Sequence, residues 1–118
     1  MEFDQGREIL KLACFWAEEK KAWQPIALKV ENQTELCSYL FITSFTNSAQ
    51  VQGFTNLLEK VLAENGFVVL NREGIKNGHW VLLDYGSTLI NILCQNERDY
   101  YQLEELWRKA EKIDFHHA

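Results

Sequence analysis

Carboxylates offer this chain its widest choice of chemistry, and Asp84 is the most informative of them. It stands at the end of an alternating apolar run, where an acid could help to hold catalytic metal ions. A two-metal phosphoryl-transfer site needs clustered acids, however, and residues 85–87 supply no second acid at the i+2 position. Glycine-rich phosphate loops, GxSxG elbows and HExxH helices do not occur in the sequence. We therefore predict a protein that is not an enzyme and has no cofactor.

The possible nucleophiles are the three cysteines, Cys14, Cys37 and Cys94. A cysteine nucleophile needs a neighbouring histidine, and His79 could approach Cys94 across a predicted hairpin. A structural role is the more common outcome, because burial without a positive environment leaves a thiol inert. The odd number and unpaired spacing of the cysteines fit reduced thiols. His116 and His117 lack the spaced partners that zinc requires, so no metal site is predicted.

The charge balance limits the choice of partner. The sequence has 12 Lys and Arg against 17 Asp and Glu, which gives a formal net charge of −5. Phosphate binding depends on Lys and Arg, so the composition disfavours nucleic acid as the direct partner. An acidic domain is suited instead to binding a basic protein.

A length of 118 residues predicts one domain, residues 1–118, that is large enough to fold without disulfides or metal. The hydrophobic share of 47% and the charged share of 25% are typical of soluble globular proteins. No apolar run approaches the roughly 20 residues of a membrane span, and the N-terminus lacks the apolar region of a signal peptide. We therefore expect a cytoplasmic protein that does not contact a membrane.

Periodicity and capping residues predict the elements that position these side chains. A first helix begins after Asp4 and ends near residue 20, a second begins after Thr46 or Asn47 and ends at residues 65–66, and a third spans about 97–113. Five strands are predicted at residues 26–30, 39–44, 67–70, 80–85 and 88–93, with the second of them central. The predicted fold class is therefore α/β (α+β), a mixed five-stranded sheet with three main helices and a short loose tail from about residue 113.

The last two predicted strands form a hairpin whose register follows from its two-residue turn. If Gly86 and Ser87 form that turn, Tyr85 lies opposite Thr88. One face of the hairpin is then ordinary core, made by Val81, Leu83, Tyr85, Thr88, Ile90 and Ile92. The other face mixes apolar and polar groups: Trp80, Leu82, Asp84, Leu89, Asn91 and Leu93. That mixture suits either a second helical layer or a docking surface for another macromolecule.

Individual residues on this second face have structural alternatives. Trp80 and Leu82 could be the floor beneath the first helix, since central strands are commonly covered on both faces. Asp84 could be solvated, bonded to backbone amides of the adjacent turn, or paired with a cation of a partner.

On the third predicted helix, an apolar side contains Tyr100, Leu103, Leu106, Trp107, Ala110 and Ile113. Tyr101 is predicted on the opposite side, among Glu97, Glu104, Glu105 and Arg108. A tyrosine among charges is a good interface anchor, although from its own helix alone a surface tyrosine that packs along that helix is the more common outcome.

These residues resemble the ribosomal silencing factor family, also called the RsfS or Iojap-related family. The matching residues around the hairpin and third helix are Glu73, Gly74, Trp80 to Gly86, Arg98, Tyr101, Leu103, Glu104, Leu106 and Trp107. Further matches are Ser38 to Thr43 and then Asn47, Ser48, Gln50 and Val51, so the resemblance covers most of residues 26–107. The family usually has Asp at position 38 and His at position 91, where this chain has Ser38 and Asn91. No contact that needs a charge or an imidazole is carried over to these two positions.

The resemblance implies a nucleotidyltransferase-like topology and a repressor of translation that acts without catalysis. Such a protein would bind the large ribosomal subunit through ribosomal protein number fourteen and block subunit joining when nutrients are scarce. It would form a homodimer when free. The residues expected to bind the ribosomal protein are Trp80, Leu82, Asp84, Tyr101 and Glu104. The alternative is a degenerate nucleotidyltransferase-like enzyme that binds nucleotides.

Overall fold

The computed structural model describes residues 4–115, which form helices packed on a mixed six-stranded sheet. The helices are α1 (Gln5–Glu19), α2 (Ser48–Glu64), α3 (Gln95–Tyr101) and α4 (Leu103–Leu106). The strands are β1 (Trp23–Lys29), β2 (Tyr39–Phe45), β3 (Asn71–Glu73), β4 (Trp80–Asp84), β5 (Thr88–Cys94) and β6 (Glu111–Lys112). Their order in the sheet is β3-β4-β5-β2-β1-β6, and only the β2–β5 pair among these residues is parallel. The predicted fold class is confirmed, with six strands rather than five.

Helices α1 and α2 begin at the residues that the sequence predicted. The side chain of Asp4 accepts a hydrogen bond from Arg7 N at 3.1 Å. Asn47 and Gln50 form a reciprocal capping box, in which the Asn47 side chain accepts from Gln50 N at 2.9 Å. These bonds satisfy amide groups that the first turn of a helix leaves without an intrahelical partner.

The main core lies between α1, α2 and one face of the sheet. Fully or almost fully buried members come from α1, α2 and three strands: Ile9, Leu10, Val51, Phe54, Leu58, Phe41, Val81, Leu83, Ile90 and Ile92. Every residue of β2 is buried, which confirms the prediction that this strand is central. None of the helices within residues 4–115 is long and apolar enough to cross a membrane.

Strand β1 begins three residues before the predicted start at residue 26. Trp23 pairs with Ser44 and Ile26 with Ile42, so the register shifts by one residue between the two pairs. A bulge of this kind accommodates Pro25, which has no amide hydrogen to donate to a regular ladder. Because Pro25 was treated as a strand breaker, the predicted strand began too late.

The prediction of a strand over residues 67–70 is wrong. Phe67 is buried, and its amide donates to Leu62 O at 2.8 Å, so it closes the end of α2 instead of pairing with a strand. Val68 and Leu70 are largely exposed. The edge strand β3 follows at Asn71–Glu73, inside the predicted loop, where the three polar residues pair with β4.

The third predicted helix, residues 97–113, is interrupted at Gln102. This residue has φ of 47°, a left-handed conformation that ends α3 and precedes the short helix α4. Further along the chain, β6 pairs with β1 through Leu28 and Lys112. The chain is therefore not helical up to residue 113: β6 forms an edge strand of the sheet instead.

The segment after β6 also packs on the domain as far as it is described. We expected a loose tail from about residue 113, but the Ile113 amide donates to Ala27 O at 2.8 Å. Phe115 packs against the main core, with the guanidinium of Arg7 5.3 Å from its ring centroid. His116 and His117 lie outside the described residues.

Candidate protein-binding surface

The hairpin β4–β5 has the predicted register and the predicted faces. Tyr85 N donates to Thr88 O at 2.9 Å, and Asp84 pairs with Leu89. Val81 and Leu83 are fully buried in the main core. Trp80 and Leu89 belong to a second cluster on the opposite side of the sheet.

This second face is covered over only part of its width. Leu103, Trp107 and Ala110 pack against the buried side chains of its central strands, namely Leu28, Val30, Leu40, Ile42 and Leu93. Towards the β3 edge, Trp80, Leu82, Asp84 and Leu89 are each only partly buried. We call these four residues and Tyr101 the open sheet face. The covered part corresponds to the second layer that was one expectation from sequence. The open part corresponds to the other expectation and is the candidate docking surface.

Trp80 is fixed in place at the boundary between the covered and open parts. Its indole Nε1 donates to Asn91 Oδ1 at 3.0 Å, and Asn91 is buried with its Nδ2 3.4 Å from Phe41 O. Asn91 is thus the acceptor that satisfies a half-buried indole. This bond predetermines the orientation of Trp80.

Tyr101 contacts Trp80 directly, which sequence periodicity did not predict. The two ring centroids are 5.1 Å apart with an interplanar angle of 51°. Tyr101 remains 55% exposed, and its ring centroid lies 4.9 Å from that of Tyr100 in an edge-to-face arrangement. The placement of Tyr100 on the inner side of the helix is wrong, because Tyr100 is 79% exposed. The result is an aromatic pair, Trp80 with Tyr101, that has one fixed and one accessible member.

Asp84 has the local role that was one of its sequence alternatives. Its Oδ1 accepts a hydrogen bond from Gly86 N at 2.7 Å, and Gly86 has φ of 87°, which suits glycine in a tight turn. Its backbone oxygen accepts from Leu70 N at 2.8 Å. The carboxylate is therefore held at the turn end of the open sheet face, where it is half-buried.

Glu104 pairs within the chain with a buried cation, Arg98. The Arg98 Nε donates to Glu104 Oε1 at 3.0 Å, and the Arg98 side chain is only 4% exposed. The same guanidinium donates to the backbone oxygens of Trp23 and Gln24, both at 2.8 Å, and to Ser44 Oγ at 3.1 Å. Arg98 thus ties α3 and α4 to the bulged start of β1 and the end of β2. Glu104 was expected to meet a partner, whereas here its carboxylate compensates Arg98.

The three cysteines have weakly acidic, shielded thiols. Burial is the main cause that raises the pKa of Cys14 to about 12, and burial also raises the pKa of Cys37 and of Cys94. All three are free within the described part of the chain. A thiol with a raised pKa is a poor nucleophile at neutral pH, so none of the three is suited to nucleophilic catalysis.

The structure brings together four of the five predicted binding residues and gives the fifth a different environment. Trp80, Leu82 and Asp84 lie at alternate positions of β4, and Tyr101 joins them through its ring contact with Trp80. Glu104 lies on α4, with its carboxylate on Arg98. Sequence reasoning named Arg98 and Asn91 but did not predict that they hold the aromatic pair and its helix in position. Helical periodicity could not reveal that an arginine is buried.

Comparison with known proteins gives a consistent result. Residues 4–118 match the sequence model of a family described as ribosomal silencing factor during starvation. The chain is 32% identical to ribosomal silencing factor RsfS of Halalkalibacterium halodurans over 109 residues, which is 92% of this chain and 93% of that protein. It is 32% identical to RsfS of Bacillus subtilis over 108 residues, 92% of each. A crystal structure of a Chromobacterium violaceum protein superposes with a TM-score of 0.83 at 30% identity, covering 96% of this chain and 93% of that one.

Proposed function

Because the chain belongs to the ribosomal silencing factor family, whose members are ribosome-associated regulators of translation, we propose that it binds the large ribosomal subunit and blocks subunit joining. In this proposal, the protein contacts ribosomal protein number fourteen and represses translation when nutrients are scarce. The observation that carries this proposal is the open sheet face, with its fixed tryptophan and accessible tyrosine.

The open sheet face has the anatomy of a protein-binding surface. Interfaces that bind specifically bury about 800 Å² on each partner and rely on a few aromatic anchors near the centre. Trp80 and Tyr101 are such anchors, and Leu82 and Leu89 extend the apolar area along the two strands. The bond from Trp80 to Asn91 restricts the indole before binding, so less side-chain entropy is lost when the partner docks.

The charge of the domain supports a basic protein as the partner. The formal net charge of −5 favours encounter with a strongly basic surface, and Asp84 places one carboxylate at the margin of the apolar area. Attraction of this kind mainly accelerates association and falls as salt increases. Glu104 adds less than a free carboxylate would, because Arg98 already compensates it.

The proposed mechanism is steric and needs no chemical step. A domain bound where the small subunit docks would prevent joining by excluded volume, so we propose that the protein is not an enzyme and uses no cofactor. We also propose that the protein acts in the cytoplasm and forms a homodimer when it is not bound to the ribosome.

Light scattering of purified subunits tests this mechanism through the order of addition. Protein mixed first with large subunits should reduce the scattering increase that follows addition of small subunits. The same protein added to joined ribosomes should produce no fast decrease, since a steric blocker must wait for its surface to be exposed. Unchanged association at a large excess of protein over subunits would exclude the proposed function.

A further inference from the structure

A second group of chemically capable side chains lies at the other end of the β4–β5 hairpin, on the side of the sheet that faces the main core. It consists of His79, Cys94 and Glu97. The Cys94 Sγ is 3.9 Å from His79 Nδ1, and that nitrogen is 3.7 Å from Glu97 Oε2. One potential ligand atom from each residue lies within 4.8 Å of the other two.

The backbone holds these three residues together independently of their side chains. Cys94 N donates to His79 O at 2.9 Å, so the two residues face each other across the hairpin. Cys94 directly precedes α3 and Glu97 lies in its first turn, a spacing of three residues that brings both side chains to one side of the turn. The hairpin and the helix start therefore converge on one point.

The loop that carries His79 is also fastened to α2. Gln52 Nε2 donates to Ile75 O at 3.2 Å and to Lys76 O at 2.9 Å. Gly78 lies so close to α2 that a Cβ there would approach Ser48 O to 2.9 Å. Such close packing limits the movement of the backbone at His79, as a site of defined geometry requires.

We propose that His79, Cys94 and Glu97 form a binding site for a zinc ion. Zinc bonds of about 2.3 Å to sulfur and about 2.0–2.1 Å to nitrogen and oxygen place tetrahedral ligand atoms roughly 3.3–3.6 Å apart. The two separations that involve His79 Nδ1, 3.9 and 3.7 Å, exceed these values by about 0.3–0.4 Å, and the third ligand-atom pair lies within 4.8 Å, so rotations of the Cys94 and Glu97 side chains would have to bring that pair together.

The donor set and its exposure favour zinc over the common hard cations. Thiolate and imidazole are ligands of zinc and other transition metals, whereas Mg²⁺ and Ca²⁺ prefer sites made of oxygen. The Cys94 thiol would release its proton to solvent as the metal–sulfur bond forms. The His79 side chain is 56% exposed and that of Glu97 is 30% exposed, so an ion can enter from solvent. Water would complete the tetrahedron.

The experiment uses the full chain without an affinity tag and zinc or cobalt salts as the probes. Equilibrium dialysis should find one bound zinc ion per chain, and the Cys94→Ser change should abolish this binding. Cobalt should show a thiolate-to-metal charge-transfer band that the same change removes. His79→Gln and Glu97→Gln should each weaken zinc binding at least about tenfold, because loss of an outer-shell partner alone commonly costs 10- to 100-fold.

Two controls separate this site from other donors in the chain. Cys14→Ser should bind zinc as wild type does, since Cys14 lies on α1 and is not one of the clustered ligands. Replacement of His116 and His117 by Ala should also leave binding unchanged. His79→Gln and Glu97→Gln alter exposed or half-exposed side chains, so they keep the test valid if Cys94→Ser unfolds. Absence of stoichiometric zinc, or full affinity in His79→Gln and Glu97→Gln, would overturn the proposal.

Discussion

Removing the buried guanidinium of Arg98 should destabilise the fold far more than removing an exposed one. We predict that Arg98→Met lowers the free energy of unfolding by about 3 kcal/mol. Breaking a buried ion pair commonly costs about 3–5 kcal/mol. The lower end applies here because the side chain of Glu104 is 38% exposed and can return to water when Arg98 is lost. The backbone oxygens of Trp23 and Gln24 would lose their charged donor as well.

Arg108→Met is the matched control for this prediction. Arg108 also pairs with a glutamate, at 2.8 Å from Glu105, but the two side chains are 65% and 63% exposed. Exposed pairs of this kind contribute roughly 0–1 kcal/mol, so Arg108→Met should change stability by less than about 1 kcal/mol. Urea unfolding, followed by tryptophan fluorescence and circular dichroism, would give both free energies. An unchanged slope of the unfolding free energy against urea concentration would indicate that two-state behaviour persists. Equal losses in the two variants would refute the structural role assigned to Arg98.

Three further predictions concern the turn, the first helix and the interface charge. Gln102→Gly should raise the free energy of unfolding by about 0.5 kcal/mol in urea titrations, because glycine relieves the left-handed backbone but has a more disordered unfolded state. Tyr39→Phe should lower stability at neutral pH, and the deficit should shrink in acid; a deficit independent of pH would contradict this. The Tyr39 hydroxyl donates a hydrogen bond to Asp4 Oδ2 and thereby lowers the pKa of Asp4. The stability that this bond contributes is present while the carboxylate is ionised and is lost as the pH falls through the lowered pKa. Asp84→Asn keeps an oxygen to accept from Gly86 N, so stopped-flow binding to the large subunit should show slower association with a flatter salt dependence at an unchanged melting temperature.

The hairpin could be predicted from sequence because its register depends on local chemistry. Once Gly86 and Ser87 form the turn, every later pair follows, and the alternation of side chains assigns each residue to a face. The same register places His79 opposite Cys94, and the three-residue spacing to Glu97 was visible in the sequence. The proximity of His79, Cys94 and Glu97 could therefore be predicted from local signals, whereas the metal prediction considered only His116 and His117.

The errors occurred where tertiary contacts overrode local preference. Residues 97–113 have helical periodicity, but Arg98 is drawn into the protein by acceptors on β1 and β2, and Lys112 completes the sheet edge beside Leu28. Strand β3 consists of exposed polar residues, which have the composition of a loop. Residues 67–70, which precede β3, form a short apolar run that is typical of a strand. In the structure the run is apolar at Phe67 because this residue packs into the main core from the end of α2.

The most direct test of the account compares the affinity of Tyr101→Ala and Phe15→Ala for the large ribosomal subunit. Both aromatic side chains are 55% exposed, but Tyr101 lies on the open sheet face and Phe15 lies on α1, across the sheet. Loss of a central aromatic anchor costs roughly 1–4 kcal/mol, so Tyr101→Ala should weaken binding by about fivefold or more. Phe15→Ala should bind as wild type does, and both variants should remain fully folded, with Tyr101→Ala slightly less stable because it loses its ring contact with Trp80. Wild-type affinity in a fully folded Tyr101→Ala variant would contradict the account and place the docking surface elsewhere.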